Sequence, residues 1–386
     1  MSGLIYLSIL IFIGATSAFA GEIETFEEAK KISNQTGKPI LLEFVRDDCL
    51  HCALAESEVD SLQALREALQ AVVFISVNMD SDEGQSLSSR YTVGRYFPLF
   101  ILANSDGEII NRWSGYTDAQ RFITSLNNSL KNKTTISERE QRFDKNPSAF
   151  AALNLAKYFY DSQQYLKSID YYRRAGELGR RQYHFQIFRS TAVACEEGLI
   201  DYEKALAAAD SVMQSGSDGD IIYTAKILTT LARKLGKTET LSEYLRKGLE
   251  TARQSSNSNF AQNAPIFQAD LALYDKKDVA GATMVKKQSL GDGWENDPDK
   301  FFDYAEWSLH RKINLEEAEQ YALKAAQMVS PGKSGARVTG ILAAICFEQG
   351  KYNDAVKYID IALKNDPGNE YYIKNRKEYL NALQGH

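Results

Sequence analysis

Two cysteines, Cys49 and Cys52, stand where one secondary-structure pattern gives way to another, and that placement restricts the fold around them. Upstream, Pro39-Ile-Leu-Leu-Glu-Phe-Val45 is a short apolar run opened by a proline, which reads as a buried strand. Downstream, the pattern predicts one helix from Ala53 to Gln70, with Leu54, Val59, Leu62, Leu65 and Leu69 at mostly three- and four-residue spacings. A Cys-x-x-Cys at a strand-to-helix turn puts its first sulfur at a helix N-terminus. Unpaired N–H groups and the helix dipole favour a thiolate there, and the thiolate is the reactive form. The pair therefore reads as a redox site.

The elements around this junction follow in a legible order. Thr25-Phe-Glu-Glu28 reads as a capping box opening a helix to Asn34, and Gly37-Lys-Pro39 stops that helix before the strand Ile40–Val45. Beyond the cysteine helix the pattern predicts a strand at Val72–Asn78 and a short helix at Gly84–Tyr91. Strands at Pro98–Ala103 and Glu108–Ser114 and a helix at Thr117–Leu130 complete the region, with Ser105-Asp106-Gly107 as the turn between the two strands. Strands alternating with helices, then a hairpin and a last helix, make an α/β domain with a mixed sheet.

On these residues the region 21–135 resembles the thioredoxin fold over its whole length. The likeness is carried by the Cys-x-x-Cys opening the second helix, by Glu43 in the buried strand, by Phe97-Pro98 at the start of the third strand, and by Asp106-Gly107 with Gly115-Tyr116 closing the last strand. The resemblance implies that Cys49 is the attacking thiol, that Glu43 is a buried acid moving protons to and from Cys52, and that Pro98 follows a cis peptide facing the sulfurs. His51 stands where disulfide isomerases and periplasmic oxidases of this superfamily carry His. An imidazolium there would stabilise the Cys49 thiolate and make the pair more oxidising. Asp48 departs from the pattern, standing where thioredoxins usually carry Trp, and an acid beside Cys49 opposes thiolate formation. Catalysis is thus expected from Cys49, Cys52, Glu43, His51 and Pro98. No second Cys-x-x-Cys or His pair supplies zinc ligands, so neither metal nor cofactor is expected.

Residues 136–386 carry helical patterning almost throughout, and a repeat recurs in it. Its clearest copy is the last, Gly350-Lys-Tyr352 with Ala355, Ile359, Ala362 and Pro367; the first has Leu155-Ala156, Phe159, Tyr165, Ser168, Tyr172 and Ala175. Weaker copies centre on Ala192–Ala209 and Phe301–Ala325, and the register within 219–290 is degenerate. This spacing resembles the tetratricopeptide repeat, and about six helical pairs are expected. One pair cannot bury its own apolar face, so the copies must stack into an all-α superhelical solenoid, whose concave face commonly holds a protein partner. Cys195 and Cys346 fall in first helices of their pairs and read as small buried residues.

Composition closes several other routes. The chain has 386 residues, enough for two domains, and its 44% hydrophobic and 25% charged residues do not favour disorder. Residues 21–135 hold 11 Lys/Arg and 17 Asp/Glu, and 136–386 hold 34 of each, so neither half is a basic nucleic-acid-binding surface. No phosphate-binding Gly-rich loop, Ser/His/Asp arrangement or His-Glu-x-x-His is present. Residues 1–20 read as an export signal, with Leu4 to Gly14 apolar and Ala18-Phe19-Ala20 giving the cleavage pattern, although the first residues lack Lys or Arg. A membrane association is expected only if this segment stays uncleaved. The expected protein is an exported thiol–disulfide oxidoreductase, periplasmic first and extracellular second, acting on protein or peptide thiols and disulfides. The alternative is a non-catalytic scaffold in which the thioredoxin-like domain is a docking module.

Overall fold

A strand covered on both faces organises the first domain. The computed structural model describes residues 23–46, 49–94 and 97–384. The expected export signal at 1–20 and Asp48 lie outside the described residues. Strand β1 (Ile40–Val45) pairs in parallel with β2 (Val73–Asn78), Ile40 opposite Val73, and antiparallel with β3 (Leu99–Ala103), Glu43 opposite Phe100. Strand β4 (Ile109–Ser114) pairs antiparallel with β3, giving the order β2-β1-β3-β4. Gly107, at φ 81°, makes the left-handed turn that joins this last pair.

Because side chains alternate across a strand, β1 divides its residues between two layers. Ile40, Leu42 and Phe44 pack on Phe26 and Ala29 of α1 (Phe26–Thr36) and on Leu87 and Tyr91 of α4 (Asp82–Tyr91). Leu41 packs the other way, with Phe100, Ala55 of α2 (Leu50–Ser61), Leu65 of α3 (Gln63–Leu69), and Phe122 and Leu126 of α5 (Ala119–Leu130). Glu43 has the parity of Leu41 and so faces the α2 layer.

Two expectations need correction. The helix read as continuous from Ala53 to Gln70 is broken at Leu62, which is extended at φ −99° and ψ 114°. The break lets Ala55 and Leu65 both reach the sheet, and the Arg66 guanidinium closes it by donating to the Val59 carbonyl at 3.2 Å. Leu54 and Leu62, counted in the apolar stripe, are instead 38% and 40% exposed. At α1 only half of the capping box forms. The Thr25 hydroxyl accepts from the Glu28 N–H at 3.2 Å, whereas the Glu28 carboxylate accepts from the Glu24 N–H at 3.4 Å, not from that of Thr25.

After α5 the chain is helical. Helix α6 (Ile136–Lys145) opens on a complete capping box between Thr135 and Glu138. Six consecutive pairs follow: α7 (Ala149–Asp161) with α8 (Tyr165–Gly179), α9 (His184–Glu196) with α10 (Tyr202–Ser215), and α11 (Asp218–Leu235) with α12 (Ser242–Gln254). After the single turn α13 (Ser258–Ala261) come α14 (Ala264–Tyr274) with α15 (Val279–Ser289), α16 (Pro298–Arg311) with α17 (Leu315–Met328), and α18 (Lys333–Glu348) with α19 (Tyr352–Asn365). Helix α20 (Glu370–Gln384) ends the described chain. Fully buried small residues let these helices approach closely: Ala156 and Ser168, Ala205 and Ala209, Ala305 and Ala318, Ala343 and Ala355. This is a tetratricopeptide-like array. Its first helices lie against the sheet domain, where Ile109 of β4 joins Ile136, Phe143 and Ala152 in one apolar cluster.

The stretch of degenerate register is tied to the regular repeats by a buried ion pair. Asp270 of α14 accepts from Arg311 of α16 at 2.6 and 2.9 Å, with side chains only 2% and 7% exposed. Asp270→Ala strands the guanidinium in a dry site and is expected to destabilise the array by about 3–5 kcal/mol. Asp270→Leu combined with Arg311→Met, which removes both charges, is expected to cost much less. Urea unfolding followed by circular dichroism measures both.

Candidate functional site

The redox pair owes its position to the end of β1. Four residues beyond the end of that strand Cys49 takes an extended conformation, φ −96° and ψ 104°, and serves as the N-cap of α2. Its Sγ accepts from the Cys52 N–H at 3.2 Å, and its carbonyl accepts from the N–H groups of Cys52 and Ala53, each at 3.1 Å. Cys49 and Cys52 are joined as a disulfide with their Cα atoms 5.3 Å apart. The N–H that meets Cys49 Sγ here would hold a Cys49 thiolate in the reduced state, since a helix N-terminus stabilises negative charge. Both cysteines are nearly buried, at 5% and 6% exposure, while His51 on the same turn is exposed.

Glu43 is the one carboxylate in the middle of β1, only 7% exposed. Burial lifts its pKa from 4.5 to about 8, and the Glu56 carboxylate on α2 adds to the shift. A carboxyl in that range lies close to an ordinary thiol, so a proton can pass between the two with little driving force either way. Nearby, Tyr116 donates to Glu58 of α2 at 2.6 Å, and burial followed by that bond pushes its phenol well up.

Pro98 is buried, and the Phe97–Pro98 peptide is cis. The next residue, Leu99, pairs with Phe44, so Pro98 sits beside the end of β1 that leads to Cys49. Its carbonyl accepts from the Gly115 N–H at 2.8 Å. The Arg46 guanidinium lies 5.8 Å over the Phe97 ring, tying the end of β1 to this loop. The fold thus gathers Cys49, Cys52 and Pro98 at one end of the two central strands. Glu43 lies under the helix that the cysteines open, and His51 lies on its outer side. Glu56 and the Tyr116–Glu58 bond were not singled out from sequence. Glu56 acts on Glu43 only through its charge, and the Tyr116–Glu58 bond ties α2 to the chain just after β4, so only the folded arrangement marks them.

Outside this site, the free thiols Cys195 and Cys346 are buried. Burial raises both, Cys346 to about 12, so neither supplies a thiolate near neutral pH. Among the described residues no cluster of His, Cys, Asp and Glu could hold a metal ion. No described helix is long and apolar enough to cross a membrane.

Residues 26–130 match the family model for a thioredoxin-like domain. The solved TPR domain of P58(IPK) aligns over 87% of this chain and 98% of its own, at 12% identity and a TM-score of 0.25, too low to bear on the fold. No curated protein matches the chain. The first domain is thioredoxin-like in fold and carries its cysteine pair at the start of α2.

The position of Glu43 has a pH signature. Its folded pKa, about 8, exceeds its unfolded value of about 4.5, so the folded state retains a proton that the unfolded chain releases. Its favourable contribution is complete below pH 4.5, is lost as pH rises toward 8, and is then level, a loss of at most about 5 kcal/mol. Glu43→Gln, with the disulfide intact, is expected to remove this slope and to be more stable than the parent at pH 8. Urea titrations of both proteins from pH 5 to 8 measure it.

Proposed function

We propose that the protein is an exported thiol–disulfide oxidoreductase whose tetratricopeptide-like array binds protein partners. The observation that carries the reading is a disulfide capping α2 above a strand that buries a carboxyl titrating near 8. A merely structural bridge has no need of that carboxyl, which destabilises the fold at neutral pH.

In the reducing direction the Cys49 thiolate attacks one sulfur of a substrate disulfide. The substrate S–S bond breaks, one substrate thiolate leaves, and a Cys49–substrate mixed disulfide remains. Cys52 then passes its proton to Glu43 and attacks the Cys49 sulfur, releasing the second substrate thiolate and forming the Cys49–Cys52 disulfide. Two electrons have gone to the substrate, and a dithiol donor must return them. Run backward, the same steps oxidise a substrate dithiol, with protonated Glu43 supplying the proton to Cys52 as it leaves. His51, exposed one residue before Cys52, would favour the oxidising direction when protonated. Pro98 beside the sulfurs offers backbone to an extended substrate. Export is supported by the apolar run Leu4 to Gly14 and by Ala18-Phe19-Ala20, and the periplasm is the proposed compartment.

Cys52→Ala leaves Cys49 without its resolving partner and is expected to accumulate mixed disulfides with cellular proteins, seen as reducible higher-mass species. Cys49→Ser is expected to abolish them. A Cys52→Ala protein recovered with no disulfide-linked partner would favour the scaffold reading. The mature protein isolated from its host is expected to begin at Gly21, which N-terminal sequencing reads directly.

A further inference from the structure

We infer that a cavity walled by α8, α9 and α10 binds a small, elongated dianion, with an apolar body about 10 Å long and an anionic group at each end. The cavity shares no residue with the cysteine site.

Three stripes of side chains make its walls. Leu166, Ile169 and Arg173 of α8 stand at i, i+3 and i+7, as do His184, Ile187 and Thr191 of α9. On α10 the stripe is Lys204, Ala208 and Ser211. These spacings put each set on one face of its helix. The cavity measures about 540 Å³, a volume usual for small-molecule sites. Ile169 is buried, whereas Leu166 on the same stripe is left 50% exposed. Thr191 spends its hydroxyl on the Ile187 carbonyl at 2.8 Å, and Ser211 spends its own on that of Ala207 at 3.2 Å. Polar recognition therefore falls to Arg173, His184 and Lys204.

These three groups lie at opposite ends. Ser168 meets Ser190 at 3.2 Å and the Tyr172 and Tyr183 rings are 5.9 Å apart, so α8 and α9 run antiparallel. The His184 imidazole meets Ser215, at the end of α10, at 2.8 Å. Arg173 and His184 thus share one end of the cavity. Ser215 gives its hydroxyl hydrogen to the Ser211 carbonyl at 3.0 Å, so it accepts from His184 Nδ1–H and leaves Nε2 to a ligand. Lys204, in the first turn of α10, stands at the other end, with Leu166 and Thr191. Seven residues of α8 separate the ends, about 10 Å.

Charge argues for a dianion. Among the described residues no carboxylate lines the cavity, and Arg173, His184 and Lys204 form no ion pair. Asp170, three residues before Arg173, is held by Arg174 at 2.9 Å. Glu177, one turn past Arg173, lies outside the lining. Asp201 and Glu203, beside Lys204, bear on the Cys195 thiol. Helix α9 begins at the Arg173 end with no side-chain cap, which adds to the attraction for an anion there. An amphipath with one charge would satisfy one end only, and a compact dianion would leave the apolar middle wet.

Calorimetric titration of the full protein with sebacate, a dicarboxylate of this length, is expected to show saturable binding. Succinate keeps both charges and decanoate keeps one; each is expected to bind at least about tenfold more weakly. Arg173→Gln and Lys204→Gln alter exposed side chains, so the circular dichroism of both variants is expected to match the parent. Each is expected to weaken sebacate about tenfold. Ala207→Trp, which fills the cavity from an exposed position, is expected to abolish binding. No saturable heat with sebacate overturns the inference, as does equal affinity for decanoate or succinate. Folded variants that keep the parent affinity overturn it as well. A concentration-dependent dimer lost in Arg173→Gln would also overturn it, since a second copy would then occupy the cavity.

Discussion

The burial of β1 on both faces is the constraint from which the first domain follows. A strand so placed must be apolar on both sides, and five of its six residues are: Ile40, Leu41, Leu42, Phe44 and Val45. Its neighbours β2 and β3 and the helices on either side complete that burial. The sixth residue is Glu43, and a carboxyl in that position stays neutral because ionising it would strand a charge in a dry layer. The proposed proton transfer would thus draw on the same desolvation that holds the domain together. The cysteine pair begins four residues past the strand, with the first turn of α2 directed at Cys49.

The helical array is joined to the sheet domain through specific contacts. Ile109 and Arg112 lie on β4, and both face the junction: Ile109 packs among Ile136 and Phe143, while Arg112 is buried near Tyr158 of α7. Arg112 also holds the carbonyls that precede Gly94, where Gln163 of the first pair closes in. The loop bearing Pro98 is therefore braced from the sheet side and from the array side. The cysteine pair and the first repeats are thus linked through one braced junction.

Much of this was readable from residues. The strand at Ile40–Val45, the helix that begins at the cysteines and the hairpin around Asp106-Gly107 each rest on local signals: an apolar run, a turn residue, a cap. The spaced alanines of Ala355 and Ala362 marked helices that pack closely, and both are fully buried. At α2, where the reading of one long helix failed, the deciding contacts were distant in sequence. Nothing local shows that α2 stops at Leu62, because the leucine spacing continues past it. The break comes from the need to seat Ala55 and Leu65 on one sheet. At Thr25 the sequence has the right residues for a reciprocal cap, yet Glu28 takes the Glu24 N–H in place of that of Thr25.

The sequence by itself determined that a thiol pair meets a helix N-terminus beyond a buried strand, and that close-packed helical pairs follow. Periodicity, caps and small-residue spacing are local, and they act within a few turns of chain. Only the tertiary structure decided how far Glu43 is desolvated, that Glu56 adds to its shift, and that Leu99 pairs with Phe44 so that Pro98 stands beside the end of β1. It alone set Gln163 on Gly94 and brought Arg173, His184 and Lys204 to one cavity across three helices. These are through-space effects between residues far apart in the chain, and a single sequence carries no local signal for them.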